Sequence, residues 1–254
     1  MTAFQYAGGE WQACEGLPLE DRAFRYGMSF FETVAVVGGR PLFWAEHWLR
    51  LKQAAAGAGG YCPADCKPPD LLMTGVLRLY LTAGPGNYAD LFLGHLFGLF
   101  ESCDVGTFSP PVSIATCSAP YAPRPGGWKT GNYWQNVDAL CAARRMSCDE
   151  ALLFNVCGAL VSASMANVFL KLRGQWVTPA LETGARDGVV RAWLLGHLAA
   201  EESLITPEDV AVCSECILTN SRTGLRAVKA LDGRALTLPS PALADSYYHE
   251  ILCS

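Results

Sequence analysis

Lys129 is the residue in this chain best placed for covalent chemistry. It is one of five lysines, with Lys52, Lys67, Lys171 and Lys229. Lys52 follows Arg50 in a helical stretch, Lys67 lies among Pro and Cys, Lys171 alternates with Phe169, and Lys229 precedes an Asp-Gly turn. Lys129 instead joins two segments of different kind. Before it runs Ser118 to Gly127, too rich in proline and glycine for a helix or a central strand. After it, Val137, Leu140, Cys141 and Ala143 recur at roughly helical spacing. A lysine there suits Schiff-base chemistry, which needs an amine whose pKa is lowered by burial or neighbouring charge. The alternative is one more solvated lysine. The eleven cysteines offer less. Cys213-Ser-Glu-Cys216 is the single Cys-x-x-Cys, with no second pair to complete a zinc site, and it reads as two ordinary thiols at a strand edge. The set reads as reduced, cytosolic cysteine, and no metal is expected.

The elements that must position Lys129 can be sketched from pattern. Residues 1–17 suit a leading hairpin. Phe31, Val34, Val36 and Val37 lead to Gly38-Gly39, which separates two β-prone runs. From Ala45, the spacing of Trp48, Leu49, Leu51 and Ala55 predicts a helix ending at Gly57 to Gly60. Residues 63–75 read as loop and helix start. Val76 to Thr82 alternates as a strand and breaks at Gly84-Pro-Gly86, and a second strand follows from Ala89 to Phe100. Ser109-Pro-Pro111 marks the expected boundary, giving domains 1–108 and 109–254, the second carrying the lysine. A hairpin is expected over 171–179, a helix opening near Gly188, and a last helix around Pro241 to Leu252. With 51% hydrophobic and 17% charged residues the chain can bury a full core. A net charge of -5 without a basic stripe argues against nucleic acid. The longest apolar run, Leu91 to Phe100, is too short to span a bilayer, and the N-terminus shows no export signal, so a cytoplasmic protein is expected.

Several segments together resemble the class IV aminotransferases, the fold-type IV pyridoxal-phosphate (PLP) enzymes. Lys129-Thr130-Gly131-Asn132-Tyr133 resembles the cofactor-lysine segment. Asp21-Arg22 through Tyr26-Gly27 to Phe31-Glu32-Thr33, followed by Glu46-His47-Trp48-Leu49-Arg50-Leu51, resembles the opening of the family. Asp149-Glu150-Ala151-Leu152 with Asn167-Val168-Phe169 is the strongest likeness, and Thr219-Asn220-Ser221 resembles the second half of a phosphate cup. The likeness implies a two-domain α+β fold like that of D-amino-acid aminotransferase, PLP as cofactor, a small amino substrate and a homodimer. It implies roles residue by residue: Lys129 as Schiff-base partner and general acid/base, and Arg50 on the phosphate. The phosphate would also take the amides of Gly188, Val189 and Val190 and the hydroxyls of Thr219 and Ser221. Tyr133 would meet the phenolic oxygen of PLP, and Tyr26 and Phe31 the substrate.

Four positions depart from the pattern. Met28-Ser29 replaces an acidic residue and a glycine, and Ala83 replaces an arginine that contacts the substrate carboxylate. Val190 replaces a threonine. Ser162 stands where the family has the glutamate that keeps the pyridine nitrogen protonated. The resemblance therefore leaves three expectations open. One is a lyase like 4-amino-4-deoxychorismate lyase, which releases pyruvate and 4-aminobenzoate. The others are an aminotransferase of branched-chain or D-amino-acid type, and a non-catalytic relative. Ser162 tilts the choice to the lyase.

Overall fold

The computed structural model describes residues 1–106, 109–123 and 127–253. Residues 124–126 of the Pro/Gly stretch, and 107–108 at the expected domain boundary, lie outside the described residues. The chain divides into two units, Met1–Val105 with Trp128–Asn132, and Gly106–Gly127 with Tyr133–Ser254. The backbone of Lys129 thus belongs with the first.

The first unit contains β1 (Thr2–Ala7), β2 (Glu10–Ala13), α1 (Arg22–Tyr26), β3 (Ser29–Val37), β4 (Arg40–Pro41), α2 (Trp44–Gly57), β5 (Gly75–Thr82) and β6 (His95–Ser102). Its sheet runs in the order β2-β1-β6-β5-β3-β4, antiparallel throughout. Alternation along the strands separates two faces. Val34, Val36, Leu77, Leu79 and Leu81 turn to one face and bury Trp48, Leu51, Ala54 and Ala55 of α2. The other face carries Phe31, Thr33 and Tyr80, the first and last being cross-strand partners. Gly38 and Gly39 make the β3–β4 turn with φ of 54° and 84°, a conformation that costs glycine little.

Two local expectations fail here and one helix was unforeseen, each for a visible reason. No helix starts within the described residues of 63–75. Pro63, Pro68 and Pro69 remove backbone donors, and indole groups take the carbonyls instead: Trp11 Nε1 donates to Lys67 O at 2.8 Å and Trp44 Nε1 to Cys66 O at 3.0 Å. The strand expected from Ala89 begins only at His95, because the carbonyls of Asp90 and Leu91 are bonded to the Arg22 side chain. Helix α1 was not expected at all. Asp21 caps it through Oδ1, which accepts from Ala23 N at 2.8 Å, and Gly27 ends it at φ 67°.

The second unit contains β7 (Val112–Thr116), α3 (Trp134–Arg145), β8 (Glu150–Phe154), β9 (Leu160–Ala163), β10 (Asn167–Leu172), β11 (Gln175–Pro179), α4 (Val189–Leu198), β12 (Glu201–Ser203), α5 (Pro207–Val212), β13 (Glu215–Asn220), β14 (Gly224–Leu231), β15 (Arg234–Ala235) and α6 (Ala242–Tyr247). Its sheet is mixed, in the order β12-β11-β10-β13-β14-β7-β8-β9, with β15 beside β14. The core lies on one face, around Ile114, Leu152, Val168, Leu170, Leu218 and Val228. On another, Ala139 and Ala143 of α3 fit close to Ala115, Ala151 and Leu153. The last helix is broken in two, α6 being followed by a wider turn over Tyr248–Leu252. Cys213 ends α5 and Cys216 lies inside β13, both fully buried, so the pair serves packing. All eleven cysteines are free thiols. Among the described residues no helix is long and apolar enough to cross a membrane, and no three potential ligands gather for a metal.

Candidate active site

In the first unit the segment around Lys129 is an added edge of the sheet. Phe31 N donates to Lys129 O at 2.8 Å and Gly131 N to Ser29 O at 2.8 Å, and Phe30 bridges to Thr130. Strand alternation then sends neighbouring side chains opposite ways. Trp128 turns to the core, edge-on to Phe30 at 5.6 Å and against Gly57, where any side chain would collide with the indole. Lys129 turns to the other face, its Nζ 4.4 Å from the Phe31 ring centroid and donating to Thr33 Oγ1 at 3.4 Å. Phe31 is itself stacked on Tyr80 at 6.0 Å. The Met28-Ser29 departure is accommodated locally, since the Ser29 hydroxyl occupies the space a side chain at Gly131 would need.

Arg50 lies on α2 beside a buried acid. Glu32 Oε1 is 3.4 Å from Arg50 Nε, and Glu32 Oε2 is 2.7 Å from His47 Nδ1 and 3.5 Å from Arg50 Nη2. Glu32 and His47 are 4% and 2% exposed. Arg50 Nη2 also lies 3.1 Å from His47 Nδ1, so Glu32 and His47 together border the guanidinium head. Tyr26 ends α1, half out in solvent, its hydroxyl accepting from Arg25 Nη2 at 2.7 Å and its ring edge-on to Tyr88 at 6.3 Å. Ala83 is fully buried and offers no charge.

In the second unit three elements meet at the start of α4. Gly188 is its N-cap and provides no side-chain cap, so the first amides of the helix, including those of Val189 and Val190, are left for an acceptor from elsewhere. A Cβ at Gly188 would collide with Asn167 Oδ1, while Asn167 Nδ2 donates to Arg186 O at 2.7 Å. Asn167 and Thr219 are cross-strand partners on β10 and β13. Thr219 is 1% exposed and its Oγ1 has no hydrogen-bond partner among the described residues. A buried hydroxyl without a partner is costly unless a ligand satisfies it. The Gly188 amide itself donates to Arg186 O at 2.9 Å, so the uncapped amides that follow it and the orphaned Thr219 hydroxyl are the donors suited to a phosphate. Val190 is buried and adds no hydroxyl. Ser221 lies half-buried in the β13–β14 turn.

Tyr133 and Ser162 belong to a neighbouring part of the same unit. Tyr133 donates to Ser164 O at 3.3 Å, and Asn136 Nδ2 donates to the same carbonyl at 2.9 Å. Burial pushes the Tyr133 phenol up to about 12, against the lowering pull of the Arg186 guanidinium. It is therefore a neutral donor at ordinary pH. Ser162 is half-buried on β9, opposite Leu153. The turn that follows is held from beneath by Glu150, whose carboxylate accepts from Ser164 Oγ and from Met165 N at 3.3 Å. Burial holds the Glu150 carboxyl above the usual carboxylate range, against the lowering effect of those two bonds.

Sequence reasoning assigned no role to Thr33, Glu32, His47, Asn167 or Glu150, although all stand inside the motifs it quoted. The signal was available for some. Glu32 and Thr33 alternate on one strand, and His47 precedes Arg50 by three residues on one helix face.

Comparison with known proteins places this arrangement. The family model "Amino-transferase class IV" matches residues 29–231. A Thermotoga maritima protein named "Probable branched-chain-amino-acid aminotransferase" is 27% identical over 102 residues, 38% of this chain and 37% of that protein. Two solved structures share the fold. One is described as "Putative 4-amino-4-deoxychorismate lyase" from Legionella pneumophila, with TM-score 0.82 at 24% identity over 93% of this chain and 94% of that one. The other is a branched-chain aminotransferase from Thermoproteus uzoniensis, with TM-score 0.86 at 20% identity over 98% and 94%. With four-fifths of its length matched by the family model, the chain belongs to the class IV aminotransferase family and is a PLP-dependent enzyme.

Proposed function

We propose that the chain is a PLP-dependent lyase that eliminates a fragment from a small amino substrate, in the manner of 4-amino-4-deoxychorismate lyase. The observation that carries this reading is Ser162 in the place of the family's glutamate. Bound PLP supplies an electron sink for charge left on the substrate. Ser162 can hydrogen-bond the ring nitrogen but cannot hold a positive charge there, which weakens that sink. Transamination depends on the sink more heavily than does an elimination, in which the leaving group takes the electrons away.

Lys129 is the covalent anchor and the proton carrier. The Thr33 hydroxyl, 3.4 Å from its Nζ, holds the amine and offers a route for its proton. Arg50, with its head fixed by Glu32 and His47, holds the phosphate together with the amides of Val189 and Val190 and the hydroxyls of Thr219 and Ser221, the expected Gly188 amide being taken by Arg186 O at 2.9 Å. Tyr133 serves the phenolic oxygen as a donor by turning its proton from Ser164 O, which Asn136 Nδ2 still bonds, and Tyr26 and Phe31 face the substrate. The working unit is a homodimer. The second reading, an aminotransferase, is favoured by the name of the Thermotoga relative, whose match covers 37% of its length. Half-transamination with D- and L-amino acids decides between them. The Ser162→Glu variant should transaminate faster than wild type if serine limits the reaction. A wild type already as fast as that variant would remove the case for elimination.

A further inference from the structure

Arg22 has no task in the reading above, yet its long side chain is fully buried, at 0% exposure. No carboxylate among the described residues lies within ion-pair distance of it. Instead all five of its side-chain N–H donors end on backbone carbonyls of a single loop. Nε donates to Gly84 O at 3.1 Å, Nη1 to Asn87 O at 3.1 Å and Asp90 O at 2.7 Å, and Nη2 to Ala83 O and to Leu91 O at 2.5 Å. The Arg22 amide adds a bond to Gly84 O at 3.0 Å. A guanidinium offers five donors in a rigid fork, so the match between donors and carbonyls is complete. The preceding residue works alongside it, with Asp21 Oδ2 accepting from Thr82 Oγ1 at 2.6 Å.

The consequence is that α1 and the loop 83–91 form one body. That body carries the Tyr26–Tyr88 ring pair, and Arg25 Nη1 ties it once more to Gly86 O at 3.3 Å. It also borders the lysine segment, since Gly27 packs on Asn132 and Gly131 N bonds to Ser29 O at 2.8 Å. The loop begins at Ala83, where the charged substrate contact of the family is missing. We propose that Arg22 is a positioning residue for substrate specificity. Its fork holds the loop 83–91 against α1, so that Tyr26 and Tyr88 present one fixed aromatic surface to the amino substrate. The specificity part rests on the proposed PLP-lysine reading; the holding of the loop does not.

The test is Arg22→Lys in the PLP-loaded protein, since a lysine keeps the charge and buried length but offers three donors for five carbonyls. Backbone hydrogen exchange should rise at least about tenfold within 83–91 and stay unchanged in β5 and α2. The apparent affinity for an amino acid, read from its shift of the visible cofactor band, should fall about tenfold while the band and PLP content are kept. Tyr88→Ala should cause a similar loss, and the double variant no further loss. Exchange that is unchanged, or raised evenly across the unit, overturns the holding of the loop. Unchanged amino-acid affinity in Arg22→Lys, or in Tyr88→Ala should the lysine variant fail to fold, overturns the specificity role. A protein without any visible band defeats the PLP-lysine reading alone, and the exchange result still stands.

Discussion

A strand hydroxyl is one of the groups that hold the Lys129 amine. Thr33 Oγ1 accepts from Nζ at 3.4 Å, and the Phe31 ring lies 4.4 Å from the same nitrogen. On the proposed reading, the hydroxyl gives the amine's proton somewhere to go. Thr33→Val keeps the shape and removes the oxygen. It should lower turnover at least about tenfold while PLP content stays at the wild-type level; turnover equal to wild type would exclude Thr33 from proton handling. Lys129 was legible in the sequence because its five-residue segment is distinctive and lysines are few. Thr33 was not, because its meaning comes from β-sheet register. Only when the 129–131 segment pairs with β3 do residues about a hundred positions apart turn to the same face. The burial of Glu150 was hidden for a similar reason, since its partners are a turn hydroxyl and an amide of β-hairpin geometry.

At the scale of elements, α2 and α4 carry the residues proposed to hold the phosphate. Helix α2 was readable from its apolar spacing, and its Arg50 from the likeness alone. The buried Glu32 that steadies Arg50 sits on β3, and a helix–strand contact of this kind leaves no periodic trace in sequence. Arg50→Ala should weaken PLP binding by about 1.5–3 kcal/mol, the range for a charged hydrogen bond, measured as the PLP dissociation constant. An unchanged constant would move the phosphate away from α2. Helix α4 was legible from Gly188 onward, whereas the reason residue 188 must be glycine was not. It lies in the side chain of Asn167, which occupies the space of a Cβ. Helix α1 escaped notice because five residues are too few to show a period; its Asp21 cap and Gly27 stop were the available signals.

At the scale of the molecule, composition and the order of motifs were enough to expect two α+β units. The weakest expectations concerned stretches whose carbonyls are taken by side chains, as in 63–75 by two tryptophans and in 89–91 by Arg22. Propensity has nothing to say about such partners. Membership of the family leads to a further expectation, that two copies associate. Light scattering at micromolar concentration should give about twice the 27.3 kDa chain mass, and a monomer there would contradict it.

The central claim is that PLP is held through Lys129, and covalent trapping tests it most directly. Borohydride reduction of the PLP-loaded protein, followed by peptide mass mapping, should place the reduced adduct on the peptide containing Lys129, and Lys129→Ala should yield none. An adduct on Lys52, Lys67, Lys171 or Lys229, or one that persists in Lys129→Ala, would contradict the account.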